Sequence, residues 1–354
     1  MLSKKARTVT VPASDGRCIC IRFACVTEAA ALAAAEWAGR GDELEAIKTA
    51  REAMAAELAR MPIRARVVAG RRGGPTGDSL TVGEETGSES GPWFSTELGG
   101  PPWVGDPPEL WDLAVDPLQA SNLLARGVDG SLAMIAAGPA GRLLQVPHMY
   151  RQKLVVPPEA VGAVDLDAPV ADTVKAVAAA LGRRPAEVNV VVLDRPRHEE
   201  LVKQIRRSGA RVSLIRDGDV SAALAVASGD AGVDMYVGIG GSTEGILAAA
   251  GLRCLGGELQ ARFWPVSRHQ VELVKNAGIE DIETRLMTED MAGEGVLYAG
   301  TAVTGTRFLK AVSYQEDGIH AESMVLCSRC HAVRRIQTVH RAKNAGPQVV
   351  LGTR

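Results

Sequence analysis

Residues 233–264, VDMYVGIGGSTEGILAAAGLRCLGGELQARFW, are the stretch that decides the fold of this chain. A short β-branched and aromatic run at 233–237 ends in the glycine-rich GIGG at 238–241. Ser242 and Thr243 then offer hydroxyls at the start of an Ala- and Leu-rich segment. This order predicts a strand, a glycine turn and a capped helix. Glycines in such a turn let backbone N–H groups approach a ligand, and a helix start attracts an anion.

Glu244 adds a carboxylate to this predicted anion site. A carboxylate repels a phosphate unless a cation lies between them. Glu244 therefore indicates a metal ligand, with the phosphate on the far side of the metal. The alternative is an acid that stabilises the first helical turn.

The length and net charge of the chain limit the classes of protein to which it can belong. The 354 residues can bury a sizeable core, and a net charge of -2 with interspersed signs argues against a nucleic-acid binder. No apolar run reaches membrane-spanning length, and the first residues lack the apolar core of a signal peptide. We therefore expect a soluble cytoplasmic protein that binds neither nucleic acid nor membrane, with its six cysteines as thiols.

Cys327 and Cys330 form a CxxC pair that is followed by His331. A zinc site needs a second ligand pair, and Cys18 and Cys20 do not have the spacing of a usual zinc knuckle. The CxxCH pattern also meets the haem-attachment spacing, which would require export. The spacing therefore favours structural or incidental cysteines.

The central stretch and several others resemble class II fructose-1,6-bisphosphatases, some of which also cleave sedoheptulose-1,7-bisphosphate. The matching segments extend from Val26 to His340 and include WDLAVDP, PHMYRQKLVV, DRPRHEELVKQIRRSGARVSLIRDGDV and AVRRIQTVH. The resemblance implies an α/β, layered sugar-phosphatase fold of two packed α/β subdomains. Residues 1–155 would form a metal-binding subdomain with a Gly-, Pro- and Trp-rich insertion at 87–108, and residues 156–354 a phosphosugar-binding subdomain. The insertion could form a lid over the site, form an oligomer contact or pack on its own domain.

The predicted phosphosugar-binding half is intact. Arg195 and Arg197 follow the predicted strand 189–193 and precede a helix, which indicates a phosphate clamp rather than a solvated pair. By resemblance, the remaining substrate-binding residues are Tyr150, Asp217, Asp219, Gly240 and Gly241.

The predicted metal half departs from the family. In DPLQASN the resemblance implies that Asp116 binds metal and that Ser121 orients the attacking water. Gln119 replaces an acid, so it keeps an oxygen but loses the charge and the basicity. By the same resemblance, Asp42 of GRGD joins Asp116 and Glu244 as a metal ligand, although Asp42 could also be a plain helix cap.

A second departure from the family sequence lies before Gly83. Counted without gaps from Gly83, Arg71 stands with Gly73 and Pro75 where the family has carboxylates. A guanidinium cannot bind a cation. Either this metal position is empty, with Arg71 holding the substrate phosphate directly, or another acid fills it, for which Asp78, Glu84 and Glu85 are the nearest. We therefore expect Mg²⁺ or Mn²⁺ to bind weakly or in smaller number.

Three functions follow from these patterns. The first is a divergent metal-dependent phosphatase that acts on a sugar bisphosphate or a related phosphosugar of specialised metabolism, in a homo-oligomer. The second is an inactive homologue that binds sugar phosphates as a regulator or as a subunit of a hetero-oligomer. The third, a nucleotide-binding oxidoreductase, rests on the glycine turn alone, and Glu244 and the arginine clamp oppose it.

Local patterns also predict elements outside the central stretch. They indicate strands at 18–24, 211–215 and 307–312, and a helix from residue 26 with Thr27 as its N-cap.

Overall fold

Two sheets form the frame of the molecule, and the computed structural model describes residues 18–70, 79–87, 110–145, 147–229 and 232–341. In chain order the described strands are β1 (Arg64–Ala69), β2 (Glu85–Thr86), β3 (Leu110–Gln119), β4 (Leu132–Pro139), β5 (Tyr150–Val156), β6 (Asn189–Leu193), β7 (Arg211–Ile215), β8 (Met235–Gly241), β9 (Glu258–Trp264), β10 (Leu297–Ala302), β11 (Ser313–Gln315), β12 (Gly318–Cys327) and β13 (Ala332–His340). The described helices are α1 (Arg22–Ala35), α2 (Glu43–Leu58), α3 (Ser121–Ala125), α4 (Val170–Ala180), α5 (Glu199–Arg207), α6 (Asp219–Ser228), α7 (Ser242–Leu255), α8 (Arg268–Asn276) and α9 (Thr288–Met291).

The larger sheet has the order β11-β12-β10-β4-β3-β1-β2, and β13 pairs with β12. The smaller sheet has the order β7-β6-β8-β5-β9, in which β6 is parallel to both β7 and β8. Parallel strands end at one edge, so the segments that follow β6, β7 and β8 meet there. β5 runs antiparallel to β8, which brings its first residue, Tyr150, opposite Gly241 at the same edge.

Helices cover both faces of each sheet. Successive residues of β3 point to opposite sides, so Leu113 and Val115 pack with α1 and α2, whereas Ala114 packs with α6 and α7. The smaller sheet has α6 and α7 on one face and α4 and α5 on the other. The layers therefore alternate between helices and sheets, and the prediction of a layered α/β fold is confirmed.

The middle layer requires close packing of α6 against α7. A Cβ atom added at Gly251 of α7 would collide with the side chain of Leu224 of α6.

Within the part of the chain that the structure describes, no helix is long and apolar enough to cross a membrane.

Sheet membership does not follow the predicted division at residue 155. β5 contains residue 155 but belongs to the smaller sheet, and β10 to β13 return near the end of the chain to the larger sheet. The assignment of substrate and metal binding to the two halves stays a prediction. The predicted insertion at 87–108 lies outside the described residues except for Gly87, and Arg71, Gly73, Pro75 and Asp78 also lie outside them.

The strand predicted at 18–24 and the N-cap predicted at Thr27 are wrong, whereas the predicted helix is present as α1 and begins earlier, at Arg22. A 3-10 turn at Ile19–Ile21 leads directly into α1, so Thr27 lies inside the helix, where its hydroxyl shares a hydrogen bond of 2.7 Å with that of Thr301. The segment is a short apolar run with two isoleucines, which resembles a strand, but Cys20, Phe23 and Ala24 also share one helical face, which is buried. The predicted strand at 307–312 is also wrong, because the described strand begins at Ser313.

Candidate functional site

β8 ends in Gly240 and Gly241, and α7 begins directly after them, so the predicted glycine turn is wrong. A Cβ atom at Gly240 would collide with the carboxylate of Asp219, and one at Gly241 would collide with that of Glu244. The N-cap of α7 is Gly241, with no side-chain cap, so the predicted hydroxyl cap is absent at this described helix start. The hydroxyl of Ser242 instead donates to the carbonyl of Pro147 and accepts from the N–H of Met149, which fixes the entry to β5.

Asp219 joins the two sheets at the site. It is buried at the first position of α6, and its Oδ2 lies 2.8 Å from Nζ of the buried Lys153 on β5. Its Oδ1 lies 3.5 Å from Nε2 of Gln119, at the end of β3 in the larger sheet. Lys153, whose partner is 66 residues away, was not among the predicted site residues.

Asp217 is more open than Asp219, with 31% of its side chain exposed. Burial raises the pKa of Asp217, and the neighbouring charges of Asp219 and Glu244 raise it further. Nη2 of Arg195 lies 3.9 Å from Oδ2 of Asp217, which opposes that shift. The guanidinium of Arg195 therefore lies beside a carboxyl group at the open face of the site.

Arg197 lies between the glycine-rich end of β8 and Tyr150. Its Nη2 donates to the carbonyl of Ile239 at 2.7 Å, and its guanidinium lies 5.0 Å from the centre of the Tyr150 ring. The Tyr150 ring is half exposed and stacks on this cation. The predicted clamp residues thus lie together, with Arg195 beside Asp217 and Arg197 beside Tyr150.

His198 was missed as a positioning residue, although it stands in the DRPRH motif. Its ring is buried, with Nδ1 2.8 Å from the carbonyl of Leu193 and Nε2 accepting from the N–H of Ile239 at 2.8 Å. The ring is therefore neutral with its proton on Nδ1, because Nε2 must accept. Burial lowers the pKa of His198, and the adjacent arginines lower it further.

The predicted catalytic residues follow one another along the chain. Asp116 and Gln119 are buried at the end of β3, and Ala120 then adopts a left-handed φ of 55° that turns the chain into α3. Ser121, the first residue of α3, donates from Oγ to Oε1 of Glu43 at 2.7 Å. Burial and the charge of Asp116 together raise the pKa of Tyr298.

Asp42 acts in the structure as a helix cap. Its Oδ1 accepts the N–H of Glu45 at 3.0 Å, while the next residue, Glu43, reaches Ser121. No sequence pattern singled out Glu43, which looks like an ordinary acid in the first turn of α2. Among the described residues, Asp42, Asp116 and Glu244 are not found as a three-carboxylate cluster of the kind that could hold a metal ion.

Two buried side-chain oxygens without a hydrogen-bond partner among the described residues are candidate ligands for a hard cation. Oε1 of Gln119 and Oε2 of Glu244 are buried and have no hydrogen-bond partner in the part of the chain that is described. Oxygen atoms that hydrogen bonds leave unused are the ligands that Mg²⁺ and Mn²⁺ prefer. Gln119 and Glu244 could therefore each offer one oxygen to such an ion, although Lys153 already offsets one negative charge.

A cavity of about 380 Å³ opens beside Asp217. It lies between the chain after α3, the β7–α6 turn and residues 305–307, and its wall includes Asp129, Arg216, Gly218 and Arg307. Its size is in the range of small-molecule sites. Arg216 and Arg307 add two cations that the sequence interpretation did not single out.

Comparison with known proteins covers nearly the whole chain. The family model described as "Bacterial fructose-1,6-bisphosphatase, glpX-encoded" matches residues 17–340. The chain is 38% identical over 337 residues to "D-fructose 1,6-bisphosphatase class 2/sedoheptulose 1,7-bisphosphatase" from Synechococcus sp. (strain JA-2-3B'a(2-13)), which covers 91% of this chain and 95% of that protein. A protein of the same name from Synechocystis sp. (strain ATCC 27184 / PCC 6803 / Kazusa) is 35% identical over 343 residues, covering 92% and 96%.

Proposed function

Because the chain belongs to the bacterial, glpX-encoded fructose-1,6-bisphosphatase family, we propose that it is a phosphoric monoester hydrolase that removes a phosphate from a sugar bisphosphate. The observation that carries this proposal is the group formed by Arg195, Asp217, Asp219, Gln119 and Glu244 where the two sheets meet. The names of the relatives make fructose 1,6-bisphosphate and sedoheptulose 1,7-bisphosphate the first substrates to test.

The open side of the site supplies the groups that a phosphosugar needs. The partly exposed guanidinium of Arg195 can donate charge-assisted hydrogen bonds to a phosphate. Asp217 can accept from a sugar hydroxyl, whereas both oxygens of Asp219 are already engaged by Lys153 and Gln119. We therefore assign sugar contact to Asp217 and positioning to Asp219. Tyr150 would close one side of the site, held in place by Arg197.

Glu244, Gln119 and Asp116 are the residues that would hold Mg²⁺ or Mn²⁺. Such an ion, when bound, polarises the phosphoryl group and makes a bound water more acidic. Ser121 donates its proton to Glu43, so its oxygen is left to accept a hydrogen bond from a water molecule. Gln119 cannot take a proton, and Lys153 lies within the acidic group, so we expect weak metal binding and slow turnover.

Several finer predictions belong to this proposal. They are a substrate from specialised metabolism, a cytoplasmic location and a homo-oligomeric assembly. Size measurement of the pure protein by light scattering would test the last of these.

Phosphate release tests the function. The protein should release phosphate from at least one of the two bisphosphates, and only when Mg²⁺ or Mn²⁺ is present. Arg195→Ala should lower kcat/KM by about tenfold to a hundredfold, the scale of a lost hydrogen bond to a charged group.

Arg207→Ala is the matched control, because Arg207 ends the same α5 region in an exposed ion pair with Glu200. Its kcat/KM should equal that of the unmodified protein. Binding of the bisphosphates by calorimetry without any phosphate release would identify an inactive homologue, and the absence of both would refute the proposal.

A further inference from the structure

Four cysteines from the two ends of the described chain meet at one point. Cys18 and Cys20 precede α1, and Cys327 and Cys330 lie at the turn between β12 and β13. Sγ of Cys18 lies 3.7 Å from Sγ of Cys327, and Sγ of Cys20 lies 3.8 Å from Sγ of Cys330. All four sulfurs lie within 4.8 Å of one another. The structure thus supplies the second ligand pair that the sequence spacing did not reveal.

These distances match a tetrahedron of sulfurs around one ion. With zinc–sulfur bonds of about 2.3 Å, the edge of a regular tetrahedron is about 3.8 Å. A disulfide would bring two of the sulfurs to about 2.05 Å. An iron–sulfur cluster would spread the cysteines further apart, because each thiolate binds a different iron atom.

A cation lies against two of the sulfurs. Hydrogen bonding with Cys20 lowers the pKa of Cys327 to about 5, whereas burial raises the pKa of Cys18. Nη1 of Arg334 lies 3.5 Å from Sγ of both Cys20 and Cys330. Hydrogen bonds and a cation offset part of the negative charge of four thiolates around a divalent ion.

The site is closed. Cys20 and Cys327 are buried, and Cys18 and Cys330 are half buried against the core between α1 and the larger sheet. Four protein thiolates fill a tetrahedral shell, which leaves no position for a substrate, and such shells are typical of structural zinc.

We propose that Cys18, Cys20, Cys327 and Cys330 hold one structural zinc ion. The ion ties the chain before α1 to the hairpin of β12 and β13. β13 pairs only with β12 among the described strands, so the ion anchors an edge of the larger sheet. This site is separate from the proposed phosphatase site, and its test does not depend on activity.

Metal analysis of untagged protein tests the proposal directly. After extensive dialysis against metal-free buffer, mass spectrometry of the metals should find about one zinc ion per chain. Cys18→Ser and Cys330→Ser should lose this zinc and lower the thermal midpoint. Cys25→Ser is the matched control, because Cys25 is an exposed cysteine outside the cluster. It should keep its zinc.

A second measurement on the unmodified protein covers the case in which the serine variants do not fold. Titration with a mercurial reagent and a chromogenic zinc chelator should release zinc as the thiols react. Cobalt exchanged into the protein should show thiolate charge-transfer bands and the d–d bands of a tetrahedral ion. Protein that contains no zinc, that contains iron instead, or that has disulfides between these cysteines would overturn the proposal.

Discussion

At the scale of single residues, two acids that are two positions apart have different environments. Asp219 is buried with a lysine and an amide as partners, whereas Asp217 is partly exposed, and burial raises its pKa. A raised pKa in the folded protein means that folding favours the protonated carboxyl. This contribution to stability is fully present below the ordinary pKa of 3.8 and is lost as pH rises through the folded value.

Asp217→Asn should therefore be more stable than the unmodified protein at neutral pH and should bind phosphosugars less well. Thermal denaturation across the acidic to neutral range should show the difference in midpoint growing as pH rises. Asp172→Asn, which changes an exposed acid paired with Lys175, should show no such growth. Equal affinity for bisphosphates in Asp217→Asn and in the unmodified protein would remove Asp217 from the binding site.

At the scale of elements, the turn that links β6 to α5 also fixes the end of β8. His198 connects them through the carbonyl of Leu193 and the N–H of Ile239. A Cβ atom at Gly238 would lie 3.2 Å from the His198 ring, so the glycine allows the ring to pack on the strand. Protonation of Nε2 of His198 would point its new N–H at the backbone N–H of Ile239, and the hydrogen bond between them would be lost.

The pKa of His198 is lowered, so the neutral ring stabilises the folded state. This stability is present above the ordinary pKa of 6.5 and is lost as pH falls from there through the folded value. His198→Gln should cost about 1–3 kcal/mol at neutral pH and should flatten the fall in stability on acidification. Chemical denaturation at several pH values measures both effects. His269→Gln, at an exposed position on α8, should leave the profile unchanged, and an unchanged profile in His198→Gln would refute this role.

At the scale of the whole molecule, the contact between Gln119 and Asp219 connects the two sheets across 100 residues of sequence. An acid in place of Gln119 would put two carboxylates together. Two like charges about 4 Å apart repel by about 4 kcal/mol at an effective dielectric constant of 20. A divalent cation between them would reverse the effect.

Gln119→Glu should therefore have a lower thermal midpoint than the unmodified protein without divalent cations. Mg²⁺ or Mn²⁺ should raise that midpoint more in the variant than in the unmodified protein. Gln204→Glu on the exposed face of α5 changes the net charge equally and should respond as the unmodified protein does. An equal response to the cations in all three proteins would argue against a metal site at Gln119.

Sequence alone determined the family, now confirmed, and the local elements around the site. The strands at 189–193 and 211–215 and the start of the helix at Ser242 lie where they were predicted, whereas GIGG continues β8 to Gly241 instead of forming a turn. Apolar runs, glycines and charged turn residues act over a few positions, so their effect can be inferred without knowing the rest of the fold.

Only the tertiary structure decided which distant residues meet. Thr27 lies in a helix because α1 packs on the larger sheet, and Glu43 rather than Asp42 reaches Ser121 because Asp42 caps α2. The sulfurs of Cys18 and Cys327 meet across 309 residues, and Lys153 meets Asp219 through the pairing of β5 with β8 and the packing of α6. Such contacts depend on the order in which strands pair and layers stack, and this order leaves no periodic signal in the sequence near either partner.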